Sequence, residues 1–154
     1  MRSMLKAPVA MLILAYALHL VAQSQERGYW QAASNTAASI TGDISISEAK
    51  ITIDFKGFPL APIRSLKPAE VSAVFDADAN TAGPGTLYRL KVSAEQRFLH
   101  KATLCGMQDT QWMAAYVVGK SLQVAFFSGE EAPEFTFDAI AHSPNLCGTY
   151  SYVR

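Results

Sequence analysis

From residue 39 to the C-terminus the apolar residues of this chain recur with a period of two, the signature of strands that bury one face. Ile40, Gly42, Ile44 and Ile46 fall on one face of a first strand, with Thr41, Asp43 and Ser45 on the other. After a Ser47-Glu48 turn, Ile51, Ile53 and Phe55 repeat the alternation opposite Lys50, Thr52, Asp54 and Lys56, so the two segments form a hairpin. Residues 87–92, 112–118, 122–127 and 146–153 are further strands, and Gly119-Lys120 is the strongest two-residue hairpin turn in the chain. Short strands are expected at 71–75 and 135–137, and residues 98–104 are expected to run extended into Cys105. Residues 57–68 hold Pro59, Pro62 and Pro68; proline cannot donate to a ladder, so an irregular or edge segment is expected. Residues 78–85 read as a loop, and only 28–38 and 138–142 look partly helical. About eight short strands at this spacing point to an all-β barrel or sandwich.

The segment before the strands has a different order. Met1 to Lys6 is short and basic, residues 9–22 are apolar except for Tyr16 and His19, and Gln23 to Arg27 turn abruptly polar. That is the order of a signal peptide, and the apolar stretch is short of the roughly 20 residues a membrane span needs. Cleavage fits after Ala22 or after Ser24. The second has small residues at both key positions and divides the chain into a signal peptide, 1–24, and a single domain, 25–154. An uncleaved anchor is the alternative. No cysteine lies near the boundary, which argues against a lipoprotein signal, and no N-x-Ser/Thr sequon occurs. The expected location is periplasmic or secreted, with no membrane attachment after cleavage.

Loss of Arg2 and Lys6 leaves 11 basic against 13 acidic residues, a net charge of −2. That balance carries no electrostatic footprint for nucleic acid and no polybasic membrane cluster. The two cysteines, Cys105 and Cys147, both lie in Leu-Cys-Gly and are expected to pair in an oxidising compartment. The bridge closes a loop of roughly 40 residues, worth about 4 kcal/mol in the chain-entropy treatment. Two buried thiols are the alternative; a zinc site lacks ligands.

Chemistry-bearing motifs fail on inspection. Asp76-Ala77-Asp78-Ala79-Asn80 opens like a calcium loop, but Thr81 stands where glycine is needed and Leu87 where glutamate is needed. Gly119-Lys120-Ser121 resembles the tail of a phosphate loop but lacks the first glycine and lies between strands. His100 and His142 have no metal spacing and no Gly-x-Ser-x-Gly elbow to serve. Glu130 and Glu131 are adjacent and diverge in a turn. No catalytic residue, cofactor or metal ligand is assigned. The densest polar and aromatic region runs from 98 to 118, and His100, Gln108, Asp109, Gln111 and Trp112 form the candidate binding surface, on a loop pinned by the disulfide.

Gly28-Tyr29-Trp30 resembles the Gly-x-Trp signature of the lipocalin and calycin barrels. That resemblance implies a small antiparallel β-barrel as the fold class, with a structural Trp30 plugging the closed end and Arg154, after the last strand, packed across its ring. Ile40-Thr41-Gly42-Asp43-Ile44, the Leu-Cys-Gly of 104–106 and Leu-Cys-Gly-Thr-Tyr-Ser-Tyr of 146–152 resemble an uncharacterised family of small exported bacterial proteins, which implies no activity. Size and class are also similar to those of exported lysozyme inhibitors. The expected function is that of a non-enzymatic exported binding protein, its partner an unidentified small molecule or envelope protein. The rivals are an inhibitor of a hydrolytic enzyme such as lysozyme and an enzyme with a site around His100 and Asp109. An open apolar interior would favour a small ligand, and a filled one surface recognition.

Overall fold

A computed structural model describes residues 25–154; the expected signal peptide and its cleavage positions lie outside the described residues. Eight strands run in chain order around a closed antiparallel barrel: β1 (Gly28–Ala32), β2 (Ile44–Ile46), β3 (Lys50–Ile53), β4 (Lys56–Leu66), β5 (Gly85–Val92), β6 (Thr110–Val118), β7 (Ser121–Phe127) and β8 (Leu146–Val153). β8 closes the barrel on β1 through Gln31–Val153 and Ala32–Tyr152. The links add three short helices, α1 (Asn35–Ile40), α2 (Pro68–Phe75) and α3 (Phe137–Ala141). The all-β barrel and its single disulfide, Cys105–Cys147, are as expected, with an S–S distance of 2.05 Å. No helix among the described residues is long and apolar enough to cross a membrane.

Period two explains the interior. Ile44, Ile46, Ile51, Ile53, Leu90, Met113, Leu122, Val124, Phe126, Tyr150 and Tyr152 point inward from successive strands and pack into one core. Neighbouring residues point outward. Outward positions of β5 to β7 build a second core against α2 and α3, through Leu87, Tyr116 and Phe127 with Val71, Val74 and Phe135. That second core explains why β6 and β7 are apolar on both faces.

Because the strands alternate in direction, one end of the barrel gathers the start of β1, the β2–β3 turn, the β6–β7 turn and the C-terminus. This base is plugged by Trp30, which is fully buried. Its Nε1 donates to the Glu26 carbonyl at 2.8 Å, and the Arg154 guanidinium lies 4.2 Å above the ring centroid. Gly28 has φ +120, a conformation other residues rarely adopt, so the glycine of the tripeptide has a backbone reason. The opposite end, the rim, gathers α1, the β3–β4 turn, the 93–109 link and the start of β8. There the 93–109 link sends Phe98 and Leu104 into the interior core and is tied to β8 by the disulfide.

Several local expectations are corrected. Ile40 to Gly42 are not strand: Ser34 caps α1 by accepting from Ala37 N–H at 3.1 Å, and the Thr41 hydroxyl donates to the Ala37 carbonyl at 3.2 Å. Phe55 is not an inward strand residue: with Asp54 it forms a two-residue turn, both at positive φ, and its side chain is fully exposed. Residues 57–66 belong to β4, the longest strand. Residues 56–59 pair with β3 only and 60–66 with β5 only, so each proline sits where one side of the strand has no ladder partner. A bulge follows Pro62. Residues 71–75 are helical, because Pro68 sets the first helical position and the Glu70 carboxylate accepts from Lys67 N–H. Residues 98–104 contain a 3₁₀ turn, Leu99–Lys101, in place of extended chain. Residues 135–137 are not a strand: the Thr136 hydroxyl caps α3, accepting from Ala139 N–H at 3.1 Å. The helical turn expected at 138–142 is the body of α3.

Candidate functional site at the barrel rim

Among the described residues, buried side chains pack the interior. Trp30, Phe126, Tyr150 and Tyr152 are each at most 1% exposed and fill the barrel across its width. Trp30 Nε1 and the Tyr152 hydroxyl are partnered within the chain. The Tyr152 hydroxyl meets the Thr41 hydroxyl at 2.7 Å. Tyr88 donates to the buried Glu26 carboxylate. Burial pushes Glu26 above the ordinary carboxylate range, against hydrogen bonds from Tyr88 and Thr86 that pull it down. Burial also pushes the Tyr150 phenol up to about 12, so it stays neutral.

The residues expected to form a binding surface take up separate local tasks. His100 adopts φ +56 in the 93–109 link, and its Nδ1 lies 2.9 Å from the Ser39 carbonyl, fastening that link to α1. Asp109 Oδ1 accepts from Ala94 N–H at 2.8 Å, closing the other end of the link. His100 and Asp109 therefore have different partners and do not form an acid–base pair. Gln111 and Trp112 do come together, around Arg89 on the outer wall. Gln111 Oε1 accepts from Arg89 Nη2 at 2.7 Å, the guanidinium stacks 4.4 Å above the Trp112 ring, and Trp112 Nε1 donates to the Gly129 carbonyl at 3.1 Å. Trp112 is 8% exposed, so its ring is covered. Gln108 stays exposed beside the disulfide.

What the rim does expose is elsewhere. Phe55, fully exposed, stands at the tip of the β3–β4 turn, and Met107, 96% exposed, stands on the 93–109 link. Below Phe55 the outer wall carries a row in register across three strands: Tyr29 on β1, Ser45 on β2 and Thr52 on β3. The short Ser45 and Thr52 side chains leave a cleft of about 350 Å³, bordered by Tyr29, Asp43, Asp54, Phe55 and Leu99. The Tyr29 hydroxyl donates to Asp43, and Ala32 N–H donates to its other oxygen at 2.8 Å. Those two bonds, the Tyr29 one foremost, hold the Asp43 carboxyl below the usual range, so it is ionised at neutral pH. Lys56 holds the turn from below, with Nζ 3.4 Å from Asp54 and 2.9 Å from the Arg97 carbonyl. The tripeptide signal marked Trp30 and passed over Tyr29 beside it. The turn had no sequence marker, because Asp-Phe occupies a position where Asn-Gly is the usual signal.

Comparison with known proteins finds no matching family model, no matching curated protein and no matching solved structure.

Proposed function

We propose that this chain is a non-enzymatic exported binding protein, periplasmic or secreted, that meets a protein partner with the rim of its barrel. The filled interior carries the reading: a barrel packed with its own tryptophan, tyrosines and phenylalanines has no space for a small molecule, while its rim presents a whole phenylalanine ring to solvent. Exposed aromatic side chains on a rigid scaffold are the usual anchors of protein interfaces. The closed barrel and the Arg154–Trp30 stack support a place among barrels similar to the lipocalin group, with rim recognition in place of a ligand cup. Inhibition of a hydrolase such as lysozyme is one form of this reading, because a two-residue turn tipped by Phe55 has a shape that enters a cleft.

A photo-crosslinking residue placed at position 55 in the exported, oxidised protein tests the reading. A discrete adduct with one protein, absent when the same residue is placed at position 118, the last of β6 at the base end, is the expected result. Equal labelling from both positions, or none from position 55, rejects it. For the inhibitor form, the purified domain is mixed with lysozymes and cell-wall lysis is followed; lysis unaffected at micromolar excess removes that form.

A further inference from the structure

We infer that the cleft on the outer wall beneath the Asp54–Phe55 turn receives a basic side chain, a lysine ammonium or an arginine guanidinium, of the partner protein. The inference rests on the rim-binding reading above and names the chemistry of one contact within it.

Three features converge on a cation. The walls are aromatic and open: Tyr29 is 58% exposed and Phe55 fully so, and the face of an aromatic ring attracts a cation. The floor is small and polar, Ser45 and Thr52, so a long side chain has room to lie across it. The rim of the cleft is anionic. Asp43 is fixed by donors from Tyr29 and Ala32, and among the described residues no basic nitrogen forms an ion pair with it. Asp54 has Lys56 at 3.4 Å, but that ammonium also donates to the Arg97 carbonyl, so the pair leaves the cleft with the uncompensated charge of Asp43. An ammonium or guanidinium on an apolar stem answers all three: the stem lies on Tyr29, Phe55 and Leu99 while the head reaches Asp43. A neutral sugar would use the aromatic faces and the hydroxyls but would leave the carboxylate unmatched.

Backbone amide NMR of the oxidised domain tests this with four probes: Nα-acetyl-lysine methylamide, Nα-acetyl-arginine methylamide, the neutral isostere Nα-acetyl-norleucine methylamide, and a neutral N-acetylglucosamine disaccharide. The cationic probes are expected to give saturable shifts confined to Tyr29, Asp43, Thr52 and Phe55. The norleucine probe is expected to bind about tenfold more weakly. Asp43→Asn, which keeps an acceptor for Ala32, and Phe55→Ala, at a position with no packing to lose, are both expected to remove the cation response. Equal shifts from norleucine, shifts from the disaccharide without the cations, or silence from every probe each overturn the inference. Crosslinking from position 55 separates this from the wider reading. An adduct that survives Asp43→Asn at full yield keeps the partner and rejects the basic contact, whereas absence of any adduct rejects the partner itself.

Discussion

Phe55 adopts φ +63 with its ring in solvent, so nothing in the folded chain offsets the left-handed backbone. An L-residue there costs roughly 1–2 kcal/mol. Phe55→Gly is therefore expected to raise stability by about 1 kcal/mol in urea unfolding at unchanged slope, while losing the proposed rim contact; a fall in stability would mean that the ring packs on the chain. Glu26 makes a second prediction. Its carboxyl is buried against Tyr88, and burial holds its folded pKa above the ordinary 4.5. The folded state thus favours the proton, and the stabilisation is complete below the unfolded value and lost as pH rises through the folded one. Glu26→Gln keeps the acceptor for Tyr88 without the ionisation, so its advantage over the parent should grow from acid to neutral pH. A melting-temperature difference that does not change with pH contradicts this. Both residues show where sequence pattern stops. Phe55 is in phase with Ile51 and Ile53 but lies two residues past the end of β3, and Glu26 lies in a polar run that gives no sign of burial.

The elements were legible where one signal acted alone. β8 follows its alternation to the residue, and Gly119, at φ +58, turns β6 into β7 as the Gly-Lys pair indicates. They were misread where two signals competed. Val71-Ser72-Ala73-Val74-Phe75 is a short apolar run that suits a strand or a helix equally, and the deciding features were Pro68 and Glu70 just ahead of it. Arg64 strengthens that start, with Nη1 and Nη2 donating to the two Glu70 oxygens at 2.9 and 2.8 Å. β4 was hidden by its prolines, whose tolerance depends on partner strands that end early, a property of the assembled barrel and not of the segment. α2 also constrains β5. A Cβ on Gly85 would lie 2.8 Å from the Ala115 carbonyl oxygen and 3.0 Å from Val71 Cγ2, and the carbonyl is fixed by the barrel. Gly85→Ala is expected to destabilise the protein by about 1–3 kcal/mol in chemical unfolding; a neutral effect would show that β5 and β6 move apart freely.

For the whole molecule, the disulfide and the 93–109 link act together. The link closes the rim with Phe98 and Leu104, and Cys105–Cys147 ties that closure to β8, one of the two strands that seal the barrel. Reduction is expected to lower stability by about 4 kcal/mol, with hydrogen exchange rising first in residues 93–109; uniform exchange over all eight strands would mean that the link is not a separate unit. The cysteine pair could be read from sequence because it needs only two residues, and the barrel class because its period-two pattern repeats along the chain. The cleft could not, because Tyr29, Asp43 and Phe55 meet only through strand register and a turn. Binding on the outside of a filled scaffold is the proposal on which the rest depends. It is tested most directly by methyl NMR of the oxidised domain during titration with a long-chain fatty acid. The methyls of Ile53, Leu90, Leu122 and Val124 are expected not to move; saturable one-to-one shifts at those interior methyls would place a ligand site inside the barrel and overturn outside binding.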